Sequence, residues 1–142
     1  MTAEQHKTGI YVANHASIPE RSAMWRAYRA AGAPIISTWI DEAGPGKSLM
    51  HDLWKRVADE TRRCATLVLY VEPDDLPLKG ALVEVGLAQA QGAWIFVAAP
   101  GVAIPALGSW VWLPRVTLCG DADDAMHMAC ALVRALEKSD AR

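Results

Sequence analysis

Basic charge is nowhere in surplus in this chain: fourteen lysines and arginines stand against sixteen acids among 142 residues, a formal net charge of -2. The basic residues are scattered, so nothing resembles the stripe that holds a phosphate backbone, and nucleic acid is not an expected partner. Cysteine is also sparse. Cys64, Cys119 and Cys130 are an odd number at wide spacings with no C-x-x-C, which argues against a disulfide framework and fits a reducing, cytoplasmic compartment. His6, His51 and His127 share no ligand spacing with those cysteines, and Met126 and Met128 read as core-filling residues on a helix. No metal and no other cofactor is expected. Residues 1–8 lack the apolar core of a secretory signal, so no export signal is expected either.

Charge is absent altogether from residues 85–114, a run longer than a bilayer requires. Composition defeats the membrane reading. Gln89, Gln91 and Gly92 break the run early, and Pro100, Pro105, Pro114, Gly101 and Gly108 would leave backbone groups unsatisfied in lipid. With 52% hydrophobic and 21% charged residues, the chain instead has the balance of one compact domain covering residues 1–142.

What is present alternates between strand and helix patterns. Residues 8–14 (TGIYVAN) are apolar and β-branched, and Ser17-Ile18-Pro19-Glu20 has the spacing of a capping box with proline in the first turn. The helix that follows carries Met24, Trp25, Tyr28 and Ala31 at helical spacing and stops at Gly32, before a second expected strand at 34–40 (PIISTWI). Gly44-Pro45-Gly46 marks a turn. It imitates the end of a P-loop, but Asp41 stands where the first glycine of that motif belongs, so a flexible turn is expected. Next comes a helix with Leu49, Met50, Leu53, Trp54, Val57 and Cys64 on one face and Asp52, Lys55, Arg56, Asp59, Glu60 and Arg62 on the other. Strands follow at 65–71, 93–98 and 115–119, with an almost wholly apolar helix at 78–91, a closing helix at 121–138 and a frayed tail.

Alternating elements with continuous apolar strands imply an α/β fold: a five-stranded parallel doubly wound sheet, flavodoxin-like in order 2-1-3-4-5, with helices on both faces. Ligands in such sheets bind beyond the carboxyl ends of the strands. The residues delivered there would be Asn14, His15 and Ser17 after the first strand, Asp41 after the second, and 72–79 after the third. Asn14, His15 and Ser17, with Arg21 a turn along, could donate to a phosphate or sugar, although capping alone explains Ser17. Trp39 could stack a base while Asp41 bonds its edge, or simply fill core.

Glu84 is the most informative residue, being the only acid in residues 76–120 and lying within an apolar helix. A carboxylate there is costly unless compensated, either by chemistry or by a structural role such as pairing with Arg115. The segment around it, Leu78-Lys79-Gly80-Ala81-Leu82-Val83-Glu84-Val85-Gly86-Leu87-Ala88-Gln89-Ala90-Gln91-Gly92, resembles the G-x-x-x-E-x-G-x-A-x-A-x-G motif of the nucleoside 2-deoxyribosyltransferase-like family, which includes 2'-deoxynucleoside 5'-phosphate N-hydrolases. The likeness extends from Ile10-Tyr11-Val12-Ala13 through Ser37-Thr38-Trp39-Ile40-Asp41 to Pro114-Arg115-Val116. The specific part is the Glu84 segment.

The resemblance implies that Glu84 is a nucleophile that attacks the anomeric carbon of a deoxyribosyl group, a retaining transfer to water or to a second base. It implies a second acid before the same helix, for which Asp74 and Asp75 are the candidates, lying further upstream than the family spacing. It places Gly80 in the substrate-binding set and Ser109 as a contact for a 5'-phosphate. It also implies a homodimer or larger assembly with a composite site, consistent with Trp110 and Trp112 in a long Pro- and Gly-rich segment. The expected function is thus an N-glycosidic hydrolase or deoxyribosyltransferase acting on a nucleoside or nucleoside 5'-monophosphate. The alternative is a non-catalytic nucleotide-binding or sensor module of the same fold.

Overall fold

The computed structural model describes residues 7–15, 18–42 and 50–140. Four parallel strands, β1 (Ile10–Ala13), β2 (Thr66–Tyr70), β3 (Trp94–Ala98) and β4 (Val116–Cys119), lie in the order β1-β2-β3-β4. Ile10 stands opposite Thr66, Thr66 opposite Trp94, and Ile95 opposite Val116. The helices are α1 (Pro19–Ala30), α2 (Met50–Arg63), α3 (Gly80–Ala90), the short α4 (Ile104–Leu107) and α5 (Ala122–Asp140).

Successive strand residues point to opposite faces, and both faces are covered. Tyr11, Ala13, Leu67, Leu69, Ile95 and Val97 pack with Val57 of α2 and Ala81, Val85 and Ala88 of α3. Ile10, Val12, Val68, Phe96 and Ala98 pack on the other face with Trp25 of α1 and Ala125, Met126, Ala129 and Val133 of α5. This alternation explains why β1 delivers the Tyr11 side chain toward α3.

The expected five-stranded sheet in order 2-1-3-4-5 is corrected to a sheet of four strands in sequence order among the described residues. Residues 34–40 supply a single parallel bridge, Ile10 to Ile35. The Ile10 N–H donates to the Pro34 carbonyl at 2.9 Å and the Ile36 N–H to the Ile10 carbonyl at 2.9 Å. Beyond that point side chains replace the ladder. The Val12 N–H donates to Ser37 Oγ at 2.8 Å and Trp39 Nε1 donates to the Val12 carbonyl at 2.9 Å, while the chain coils into a 3-10 turn at Trp39–Asp41. The outer edge of β1 is satisfied without a strand.

That edge depends on Gly9, which has φ of +76° and a backbone so close to its neighbour that a Cβ would stand 2.4 Å from Ile36 Cγ2. Gly9→Ala is expected to destabilise the fold by about 2 kcal/mol or more, through strain at the positive φ and a clash with the Ile36 side chain. Urea unfolding checks it.

Two helix faces also differ from expectation. Glu60, expected on the polar face of α2, is 4% exposed and accepts from the Thr38 N–H at 3.1 Å and from Thr38 Oγ1 at 2.7 Å. Met50, expected on the apolar face, is 66% exposed. Helix α3 is not buried all round, since Val83 and Leu87 are exposed. The capping reading of Ser17 and the turn at 44–46 lie outside the described residues, and α1 opens with Ile18 at its N-cap and no side-chain cap. Among the described residues no helix is long and apolar enough to cross a membrane.

Candidate functional site

Helix α3 begins beyond the carboxyl end of β2, so its first turns lie at the rim where ligands of parallel sheets are held. Gly80 and Glu84 are four residues apart on one face of it. The Glu84 side chain is partly buried, and Tyr11 Oη donates to Glu84 Oε1 at 2.5 Å. Burial pushes the Glu84 carboxyl from its ordinary 4.5 up to about 7, while the Tyr11 bond draws it back down. Burial, and then the charge and hydrogen bond of Glu84, hold the Tyr11 phenol well above its usual value. Tyr11 therefore keeps its proton and remains the donor. Glu84 forms no ion pair with Arg115, which is exposed at the start of β4.

The sign of the Glu84 shift fixes a stability profile. The folded state holds the proton more tightly than the unfolded chain, so stability is full below about pH 4.5 and falls as pH rises toward 7. Relative to Glu84→Gln, the wild type is expected to lose about 2 kcal/mol across that window. Thermal unfolding of both proteins from pH 4.5 to 8 measures it; parallel profiles would contradict the buried-carboxyl reading.

The second acids occupy a 3-10 turn at Pro73–Asp75. Asp75 is 3% exposed; its Oδ2 receives the Arg21 guanidinium and accepts from the Glu72 N–H at 2.7 Å. Arg21 is itself buried, lies 3.4 Å from Glu72 Oε1 and stacks over Tyr70 at 5.1 Å. Tyr70 in turn donates to Glu72 Oε2 at 2.7 Å. This cluster ties the loop after β2 to the first turn of α1. Asp74, on the same turn, is exposed.

The remaining candidates scatter. Asn14 is buried, accepts from Trp25 Nε1 at 2.5 Å and donates to the His15 carbonyl at 2.6 Å, so its amide is engaged by the protein. His15 is exposed beside it. Trp39 spends its indole N–H on β1 and packs against both cores. Asp41 forms a two-pronged ion pair with Arg29 at 2.8 and 2.6 Å, which holds its carboxyl below the usual range. Arg29 lies in the last turn of α1, the end farthest from the rim. Ser109 is exposed at the start of a 3-10 turn, Ser109–Trp112, and Ser17 lies outside the described residues. The structure thus joins Arg21, Glu72 and Asp75 into one polar group and Tyr11 with Glu84 into another, while Asn14 bonds to Trp25 and the His15 carbonyl. No hydrogen bond or ion pair among the described residues joins Glu84 to Asp75.

Sequence reasoning missed Tyr11 and Glu60. The period-two alternation of β1 separates Tyr11 from Ile10 and Val12 and was the available signal for the first. For the second it was the run Val57, Glu60, Cys64, which continues the apolar stripe of α2. Among the described residues, no group of three or more His, Cys, Asp and Glu side chains is placed to hold a metal ion. No family model matches the chain, and no curated protein matches it.

Proposed function

We propose that the protein is an N-glycosidic hydrolase or deoxyribosyltransferase of nucleosides or nucleoside 5'-monophosphates, with Glu84 as nucleophile. The observation that carries this reading is the Glu84 carboxylate: partly exposed at the rim, in the first turns of α3, and hydrogen-bonded by a buried tyrosine. Ionised Glu84 attacks the anomeric carbon as the base departs, forming a glycosyl ester. Water or a second base then attacks the same carbon and frees the carboxylate. Tyr11 fixes the carboxylate orientation through Oε1 and leaves Oε2 for attack. Asp75 is held by Arg21, so the exposed Asp74 is the acid assigned to assist the departing base. The three free cysteines, Cys64, Cys119 and Cys130, suit a cytoplasmic setting.

The same engagement of Asp75 favours a second reading, a module that binds a nucleotide without cleaving it. Incubation with a panel of deoxynucleosides and monophosphates, with and without a second base, separates the two when base release is followed by chromatography. Release without an acceptor base defines a hydrolase and release only with one a transferase; binding without release defines the module.

A homodimer with a composite site belongs to this proposal. Trp110 folds back, its Nε1 donating to the Leu107 carbonyl at 2.8 Å, whereas Trp112 is 79% exposed beside the exposed Leu113. An indole so exposed is an interface candidate. Sedimentation at micromolar concentration is expected to give a dimer mass for the wild type and a monomer for Trp112→Ser; a wild-type monomer would contradict it.

A further inference from the structure

The proposed reaction needs a wall for the departing base, and Trp39 is poorly suited because its ring is packed against both cores and its N–H is used by β1. Trp54 of α2 has neither commitment. Its indole is 38% exposed and its N–H has no partner among the described residues. The ring edge lies against Gly80, with Cζ2 3.4 Å from the position a Cβ would take there. Gly80 and Glu84 share one face of α3, so the Trp54 ring packs against that helix one turn from the residue that carries the carboxylate. Beside it is an open depression of about 550 Å³ lined by Met50, His51, Trp54 and Lys55, which combines an aromatic face, a thioether and two groups able to donate to ring nitrogens or carbonyl oxygens.

Resting on the glycosidase reading, we infer that Trp54 is the stacking platform for the substrate's nitrogen heteroaromatic base, with His51 and Lys55 at its edge. A Cβ at Gly80 would stand in ordinary van der Waals contact with the ring, which places the indole directly against the first turn of α3. The sugar and phosphate end of the ligand makes no use of Trp54.

Calorimetric titration of full-length Glu84→Gln, which prevents turnover, tests this with 2'-deoxyadenosine 5'-monophosphate, thymidine 5'-monophosphate and 2-deoxyribose 5-phosphate. Adding Trp54→Leu is expected to weaken both nucleotides about tenfold or more, the size of one base–aromatic stack, and to leave the sugar phosphate unchanged. Adding Trp54→Phe is expected to keep nucleotide affinity within about threefold. Equal nucleotide affinity with and without Trp54→Leu overturns the inference, as does absence of nucleotide binding to the parent. Should the leucine variant misfold by circular dichroism, the indole N–H resonance of Trp54, assigned by its loss in Trp54→Phe, supplies the reading. It is expected to move with the nucleotides and not with the sugar phosphate; immobility with nucleotide bound overturns the inference. Trp54-dependent binding without base release in the wild type would refute the glycosidase reading alone, and release with Trp54-independent binding would refute the platform alone.

Discussion

Glu84→Gln is expected to remove base release from deoxynucleosides or their monophosphates by a factor on the order of 10³ or more, because the amide keeps the shape of the side chain but cannot form the glycosyl ester. The amide carbonyl still accepts from Tyr11, so the variant folds and no longer bears the cost of burying a charge. At neutral pH its melting temperature is therefore expected to equal or exceed that of the wild type, while its turnover is lost. Turnover and melting temperature measured on one preparation check the pair. A merely structural carboxylate would give the opposite pattern, lower stability with activity retained.

Arg21→Met is expected to have the largest effect on stability. It leaves the Asp75 carboxylate, 3% exposed, without its cation, and removing one partner of a buried pair typically costs about 3–5 kcal/mol. In a domain of this size the melting temperature should fall by roughly 10 °C or more. Asp75→Asn added to Arg21→Met is expected to recover much of the loss, since a neutral amide oxygen still accepts from the Glu72 N–H. Additive losses in the double variant would show that Arg21 and Asp75 do not act on each other.

The sequence made the central strands and the helices readable because their apolar residues repeat at the spacing each element buries. Helix α3 and strand β3 fall within about two residues of the expected bounds for that reason. Residues 34–40 carry an equally strand-like pattern, yet Ser37 and Trp39 occupy the edge of β1 with their side chains. Only the neighbouring strand decides such a contest, so local propensity could not. The candidate site was legible where a single residue broke a pattern, as Glu84 does in an uncharged helix. It was not legible where partners are remote in sequence: the Tyr11 hydroxyl reaches Glu84 across 73 positions, and Arg21 reaches Asp75 across 54. Asp41 shows the converse. Its place after an expected strand pointed to the rim, but the Arg29 guanidinium draws it toward the far end of α1.

The proposed nucleophile is tested most directly by intact-protein and peptide mass spectrometry after rapid acid quenching of the protein with a deoxynucleoside 5'-monophosphate. The expected result is a deoxyribosyl phosphate adduct on the peptide carrying Glu84, absent from Glu84→Gln and chased away by a second base or by water. Base release with no adduct at Glu84, or an adduct on another residue, would contradict the assignment.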